Sequence, residues 1–478
     1  MSSPFFPSRT GEDKLRPYNF KALARTLVPE MPDVRLDTLE KPFTATFAPP
    51  GSKSLTNRAL VLAALADGTC DLANVLFADD THVMLEGLMR LGFHLVIDHD
   101  ARTVRVSGRG GHIDRADAEI FCGNSGTTIR FLTALCALGN GRYMLDGIAR
   151  MRQRPIGALT GMLKNLGVRV GGAAENENFP PVHVDAHGIP GGHVRYGSEA
   201  SSQFLSAILM VAPYARNEVH VHLDGPQTSW PYVAMTMQLM DTFGVTPELV
   251  RDPKSGQPTQ IIVPQGKYAP TTYAIEPDAS NASYFLALAA LHAGSKITIE
   301  NLGKASLQGD VGFADVLHRM GADLVFGKDF VTVRGTATLE GIDVDLADMP
   351  DTAQTLAVVA LFGRGETVIR GLHTLRVKET DRLAALSNEL KKFGADVEIE
   401  DDVLVINPPE AGEAKRAEVD TYDDHRMAMS FALAATKVHG VVIKDAQCVN
   451  KTYPQFFDDL KWVTAGRADA SGAPQRSS

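Results

Sequence analysis

Seven consecutive residues, Arg376-Val377-Lys378-Glu379-Thr380-Asp381-Arg382, bring together three cations, two carboxylates and a hydroxyl. A helix opening at Thr380 or Asp381 and reading on through Leu383 to Leu390 puts Lys378 and Glu379 just before its first turn and Arg382 within it. A helix N-terminus already favours anions, through its unpaired N–H groups and its macrodipole. Standing alone, the run has the composition of a solvated helix start. Its meaning depends on what else the chain gathers.

Six other helices answer that. They are expected to begin near Ser54, Thr127, Ser201, Ser280, Thr352 and Asp424. Their bodies, such as Ala59–Leu65, Phe204–Val211 and Met427–Ala435, are apolar nearly all round, which marks buried helices. Their first turns are polar: Lys53-Ser54 with Asn57-Arg58, Asn124 to Arg130, Ser201-Ser202-Gln203, Ser280-Asn281, Asp351-Thr352 and Asp424-His425-Arg426. Capping accounts for one Ser or Asp per helix. It does not account for Lys, Arg, Asn and Gln in the same turns. The pattern predicts buried N-termini that converge on one anion site.

The elements that carry these helices repeat. A helical stretch ending in a bulky apolar residue plus Gly recurs at Gly92, Gly167, Gly244, Gly321 and Gly394. Gly in that place is a left-handed helix cap. An alternating strand pair follows each one; in the clearest, Val397 and Ile399 are expected to face Val403 and Val405 across Asp401-Asp402. A regular repeat means one supersecondary unit used several times.

The 478 residues suffice for two to four domains. A net charge of −10 argues against a nucleic-acid or anionic-membrane surface as the main partner, so cations for an anionic substrate must be gathered locally. The four cysteines are widely spaced, with no CxxC pair, which reads as reduced, cytoplasmic usage without a zinc site. No apolar run reaches membrane-spanning length, and residues 1–40 lack the apolar core of a secretory signal. The small, polar stretch 464–478 is expected to be a disordered tail.

The motifs Gly51-Ser52-Lys53-Ser54, Gly123-Asn124-Ser125-Gly126-Thr127, Arg154-Pro155-Ile156, Ser201-Ser202-Gln203, Asp278-Ala279-Ser280, Arg376 to Arg382 and Asp424-His425-Arg426 stand in an order that closely resembles the 5-enolpyruvylshikimate-3-phosphate (EPSP) synthase family. The resemblance covers about residues 44 to 460. It implies a two-domain, inside-out α/β barrel of six βαβαββ repeats, three per domain. It places domain I at 41–51 and 277–463, domain II at 52–276, and an N-terminal extension at 1–40. The implied reaction joins shikimate 3-phosphate to phosphoenolpyruvate and releases phosphate in the shikimate pathway. It needs no metal or organic cofactor, and the chain is expected to act as a monomer on these small molecules.

The resemblance also assigns residues. Lys53, Ser54, Arg58, Ser201, Ser202, Gln203, Ser229, Asp351 and Lys378 would hold shikimate 3-phosphate, with Tyr232 close by. Lys53, Asn124, Gly126, Arg154, Gln203, Arg382, Arg426 and Lys451 would hold phosphoenolpyruvate. Asp351 would be the base at the 5-hydroxyl and Glu379 the donor to the methylene carbon. Cations lower a carboxylate's pKa while desolvation raises it, so Glu379 stands under opposed influences. Three positions depart from the family pattern: Thr374 where Asn is common, Ser125 for Ala and Phe131 for Pro. The sister family that acts on UDP-N-acetylglucosamine typically has Lys-Asn at the first motif and a reactive Cys near the Arg-Pro motif. This chain has Lys53-Ser54, and no Cys between Arg150 and Arg154. The spacing around Gly51 and around Gly108 fails the P-loop and dinucleotide fingerprints.

Overall fold

In the computed structural model, residues 33–197 and 201–465 are described; most of the expected extension and tail lies outside them. Strand Asp117–Phe121, helix Gly126–Cys136, the parallel strand Asn140–Asp146, helix Gly157–Asn165 and the antiparallel pair Arg169–Gly171 and Val182–His187 form one βαβαββ unit. Residues 192–263 and 343–407 repeat it. Two further units take their outer parallel strand from a distance: Thr272–Ala274 pairs with Thr69–Ala73, and Thr44–Phe47 with Lys296–Glu300. The sixth sheet is smaller, with Glu418–Val419 parallel and Val34–Arg35 antiparallel to Val442–Ile443. Strand pairing therefore starts inside the stretch expected to be an extension.

The six apolar helices begin at Lys53, Gly126, Gln203, Ala279, Ala353 and His425, each within two residues of its expected start. They fill the interior, and the sheets lie outside them. All thirteen residues of Ala279–Leu291 and all eleven of His425–Ala435 are buried. Removing one Leu side chain from such a helix costs about 2–5 kcal/mol, through lost burial and the cavity left behind. The five capping glycines have φ between 86° and 114°, the left-handed conformation their position implied.

The pair at 396–407 differs from expectation by one residue. Asp401 and Asp402 form a two-residue turn, with Asp401 at φ 53°, so Glu400 pairs with Val403. That register sets Val397 against Ile406 and Ile399 against Leu404. Leu404 and Ile406 are buried, while Val403 and Val405 lie toward the other face. Pairing Val397 with Val405 would have needed a three-residue turn, because one residue of slip reverses a strand's faces.

Two hydrophobic cores result. One draws on Phe43, Ala45 and residues 279–463, the other on residues 55–275. The chain passes between them twice, and the passages run side by side: Ser52 N donates to Glu276 O at 2.8 Å, and Asp278 N to Pro50 O at 2.9 Å. Gly51 is required there, since a Cβ would come within 1.9 Å of Asn74 O.

Candidate active site

Polar first turns of five of the six helices, together with Arg382 from the 376–382 stretch, line one cavity between the two cores. Lys53, Asp80, Gly126, Thr127, Arg154 and Gln203 line it from one side, and Asp351, Lys378, Glu379, Arg382 and Arg426 from the other.

On the second side, Asp381 caps helix Arg382–Lys392 by accepting from Ala384 N. The cap turns Arg382 inward, where it is 1% exposed. Its guanidinium donates to Asp424 through Nε at 2.8 Å and Nη2 at 3.2 Å, to Glu379 Oε2 at 2.9 Å, and to Asp351 Oδ1 at 3.2 Å. Arg426 Nη2 reaches Asp351 Oδ2 at 2.7 Å, and Lys378 Nζ lies 3.5 Å from Asp351 Oδ1. Tyr422 and Asp423 are both left-handed, at φ 55° and 53°. That conformation costs about 1–2 kcal/mol per non-glycine residue. It delivers Asp424, which caps its helix through Arg426 N and clamps Arg382. The bond from the Tyr422 hydroxyl to Glu389, at 2.7 Å, helps offset the cost.

Burial alone would raise the pKa of Asp351, but Arg426, Lys378, Arg382 and Lys53 outweigh it and hold the group well below the usual carboxylate range. Glu379 behaves alike: burial pushes up, Arg382, Arg154 and Lys451 push down further, and the carboxylate stays ionised. The opposed influences on Glu379 thus resolve toward the charged form. Burial, then Asp351 in opposition, leaves Lys378 below its ordinary value. Next to them lies His425, buried with neither ring nitrogen hydrogen-bonded and held neutral by burial and then by Arg426.

The facing side is less neutralised. Arg154 Nη1 donates to Asn124 O at 2.8 Å and Oδ1 at 3.3 Å, and its buried Nε has no partner. Among the described residues no carboxylate lies within 4 Å of it. Gly126 opens its helix against this guanidinium: a Cβ would fall 2.7 Å from Arg154 Nη2. Ser125 caps that helix by accepting from Thr128 N. Lys53 Nζ lies 3.4 Å from Asp80. From across the cavity, Lys451 Nζ reaches Asp80 at 2.6 Å and Asn124 O at 2.8 Å, and comes within 3.7 Å of Glu379.

Arg58 is held by its own half of the molecule. Its guanidinium donates to Thr236, Ser54 O, Ser206 and Tyr232 O, rests over the Phe131 ring, and does not line the cavity. Burial lowers its pKa to about 10. Arg130 holds the serine loop instead, through Ser201 Oγ at 3.2 Å and Gln203 Oε1 at 2.6 Å. Ser202 is buried beside it. Ser229 Oγ donates across the gap to Ala347 O at 3.2 Å, and the Tyr232 hydroxyl donates to Asp310 at 3.0 Å. Thr374 is buried, with its hydroxyl unpartnered. Asp80, Arg130, Asp310 and His425 were not singled out from sequence as site residues. Only the Asp-His-Arg and Arg130 motifs carried a signal for any of them.

A model of the EPSP synthase (3-phosphoshikimate 1-carboxyvinyltransferase) family matches residues 38–460. A 3-phosphoshikimate 1-carboxyvinyltransferase of Vibrio vulnificus (strain YJ016) is 45% identical over 414 residues, 86% of this chain and 94% of its own length. One from Sulfurovum sp. (strain NBC37-1) is 43% identical over 424 residues, 87% of this chain and 96% of its own. Among solved structures, an EPSP synthase from Acinetobacter baumannii superposes with a TM-score of 0.73 at 25% identity, covering 90% of this chain and 97% of that one.

Proposed function

The chain belongs to the EPSP synthase family, and we propose that the family's reaction takes place in the cavity between its two cores. That reaction transfers the enolpyruvyl group of phosphoenolpyruvate to the 5-hydroxyl of shikimate 3-phosphate and releases phosphate, on the route to aromatic amino acids. One observation carries the placement. Two ionised carboxylates, Asp351 and the buried Glu379, line the same cavity as Arg154, a guanidinium with no acid within 4 Å among the described residues.

Shikimate 3-phosphate lies against Lys53, Ser54, Ser201, Ser202, Gln203, Ser229, Asp351 and Lys378. Arg58 supports that wall from behind, by tying down the carbonyls of Ser54 and Tyr232. Phosphoenolpyruvate lies against Lys53, Asn124, Gly126, Arg154, Gln203, Arg382, Arg426 and Lys451. Planar, forked guanidinium donors match its carboxylate and phosphate.

Asp351, ionised, takes the proton of the 5-hydroxyl as that oxygen bonds to C2 of phosphoenolpyruvate. Glu379 hands a proton to C3, giving a tetrahedral ketal phosphate. Cleavage of the C2–O bond to phosphate, with return of the C3 proton, yields the enol ether. For that first transfer Glu379 must be protonated. The anions supply the means: substrate phosphate and carboxylate occupy Arg154, Lys451 and Arg382, whose charges hold Glu379 ionised beforehand.

The two cores correspond to two domains, 52–276 and 41–51 with 277–463, that close on the substrates. The separate cores and the paired crossings near Gly51 and Glu276 support this division. No helix among the described residues is long and apolar enough to cross a membrane, and four free, buried cysteines fit a cytoplasmic setting. Incubating the protein with both substrates and following phosphate release tests the reading; no release with either order of addition ends it.

A further inference from the structure

One guanidinium approaches the site from outside the cavity. Arg150 precedes the single turn Met151–Gln153 and stands four residues before Arg154, with the core of residues 55–275. Its side chain crosses to the facing half and meets backbone there. Nε and Nη2 donate to Lys378 O at 3.2 and 2.8 Å, and Nη2 also lies 3.4 Å from Arg376 O. Nη1 donates to Gln153 Oε1 at 3.2 Å, which steadies the side chain from its own side.

These acceptors lie where the short turn His373–Val377 ends. Carbonyls at such an end run out of partners within the turn, and the end attracts a cation. The peptide so held is the one that presents Lys378 and Glu379. Arginine suits the task because its fork spans two carbonyls two residues apart; an ammonium is a point donor on a freer stem.

We propose that Arg150 is a positioning residue, fastening the 376–378 backbone to the Arg154 loop and so fixing Lys378 and Glu379 when the two halves meet. The proposal rests on the roles given above to those two residues. The guanidinium of Arg150 is taken up by backbone carbonyls and Gln153 and does not line the cavity. It joins the segment carrying Arg154, a phosphoenolpyruvate ligand in that reading, to the segment carrying the proton donor. Small displacements of such groups act on turnover more than on affinity.

The full-length protein with Arg150→Ala, Arg150→Lys, Glu379→Gln and the double variant Arg150→Ala/Glu379→Gln tests this. Arg150→Ala is expected to lower kcat by about tenfold or more, because misplacing a catalytic group by about 1 Å can cost 10²-fold. The KM for shikimate 3-phosphate should stay within about twofold and the melting temperature of the free protein should be unchanged, because the bond is a half-buried bridge between the halves. Arg150→Lys should recover part of the loss. In the Glu379→Gln background, Arg150→Ala should add little, as expected for residues acting through one another. A kcat within twofold for Arg150→Ala, or a full additive loss in the double variant, overturns the proposal. Normal turnover by Glu379→Gln instead overturns the reading beneath it, and the two failures are told apart by which single variant stays active.

Discussion

On the wall built from residues 351–426, cations and acids are matched: Lys378, Arg382 and Arg426 meet Asp351, Glu379 and Asp424, three charges against three. On the facing wall, Lys53, Arg130 and Arg154 meet one acid, Asp80, and Lys451 reaches over to the same acid. The matched wall holds its side chains in fixed positions at no net charge. The other keeps an excess of positive charge that only an anion can satisfy. Under the proposed reading, the charge that phosphoenolpyruvate newly satisfies is on the unmatched wall, Arg382 and Arg426 join from the matched one, and proton transfer belongs to the matched wall.

The largest effect should come from the matched wall. Glu379→Gln keeps the shape and removes the transferable proton; kcat should fall about 100-fold or more, typical for loss of general acid–base catalysis, with both substrates still bound. Turnover near normal, measured beside equilibrium binding, would remove Glu379 from the mechanism.

Arg154→Met probes the other wall. Hydrogen bonds to charged groups contribute about 1.5–3 kcal/mol, so the KM for phosphoenolpyruvate should rise about 10- to 100-fold. Stability should hardly change, because no acid loses its partner. A drop in melting temperature with an unchanged KM would show that Arg154 belongs with the matched, structural cations.

Gly126→Ala sharpens the contrast. The new methyl meets Arg154 Nη2 at 2.7 Å, so the guanidinium must yield, at an overpacking cost of about 1–3 kcal/mol. Glyphosate, the family's inhibitor, is longer than phosphoenolpyruvate. Its inhibition constant should rise by a larger factor than the KM for phosphoenolpyruvate. Equal changes in the two constants would detach Gly126 from this role.

The smallest effect concerns stability and the boundary between the walls. Burial, then Asp351, raises Asp310 to about 6 from 3.8. Between those values the folded state binds more protons than the unfolded state, so stability falls as pH rises through the window. From pH 4 to 5 the parent should lose about 1 kcal/mol relative to Asp310→Asn. Parallel denaturation curves for the two proteins across that range would mean Asp310 titrates normally.

The buried helices and their caps were readable because each signal is local: an all-apolar body, a polar first turn, a terminal Gly. The cations and acids gathered at those first turns were readable for the same reason. The hydrogen-bond partners of Arg58 were not, because Thr236 and Ser206 lie 178 and 148 residues away in sequence. Asp80 is one of two acids in the first turn of helix Asp79–Arg90, a common place for an acid. Lys53, and Lys451 arriving from 371 residues away, give it a place in the site. The strand Val34–Arg35 is two residues long, too short to carry an alternating pattern.

The paired crossings at Gly51 and Glu276 also set an order of assembly during synthesis. Every fully buried residue of the 55–275 core, and strand Thr272–Ala274, has been synthesised once residue 276 is made. Strand Thr44–Phe47 emerges before all of it, yet its partner Lys296–Glu300 follows about 250 residues later, as the contact from Phe43 N to Ser295 across 252 positions records. The inner unit is thus complete while the outer one still holds an unpaired first strand. At about 5–20 residues per second that strand waits some tens of seconds, exposed to pairing with any other open edge.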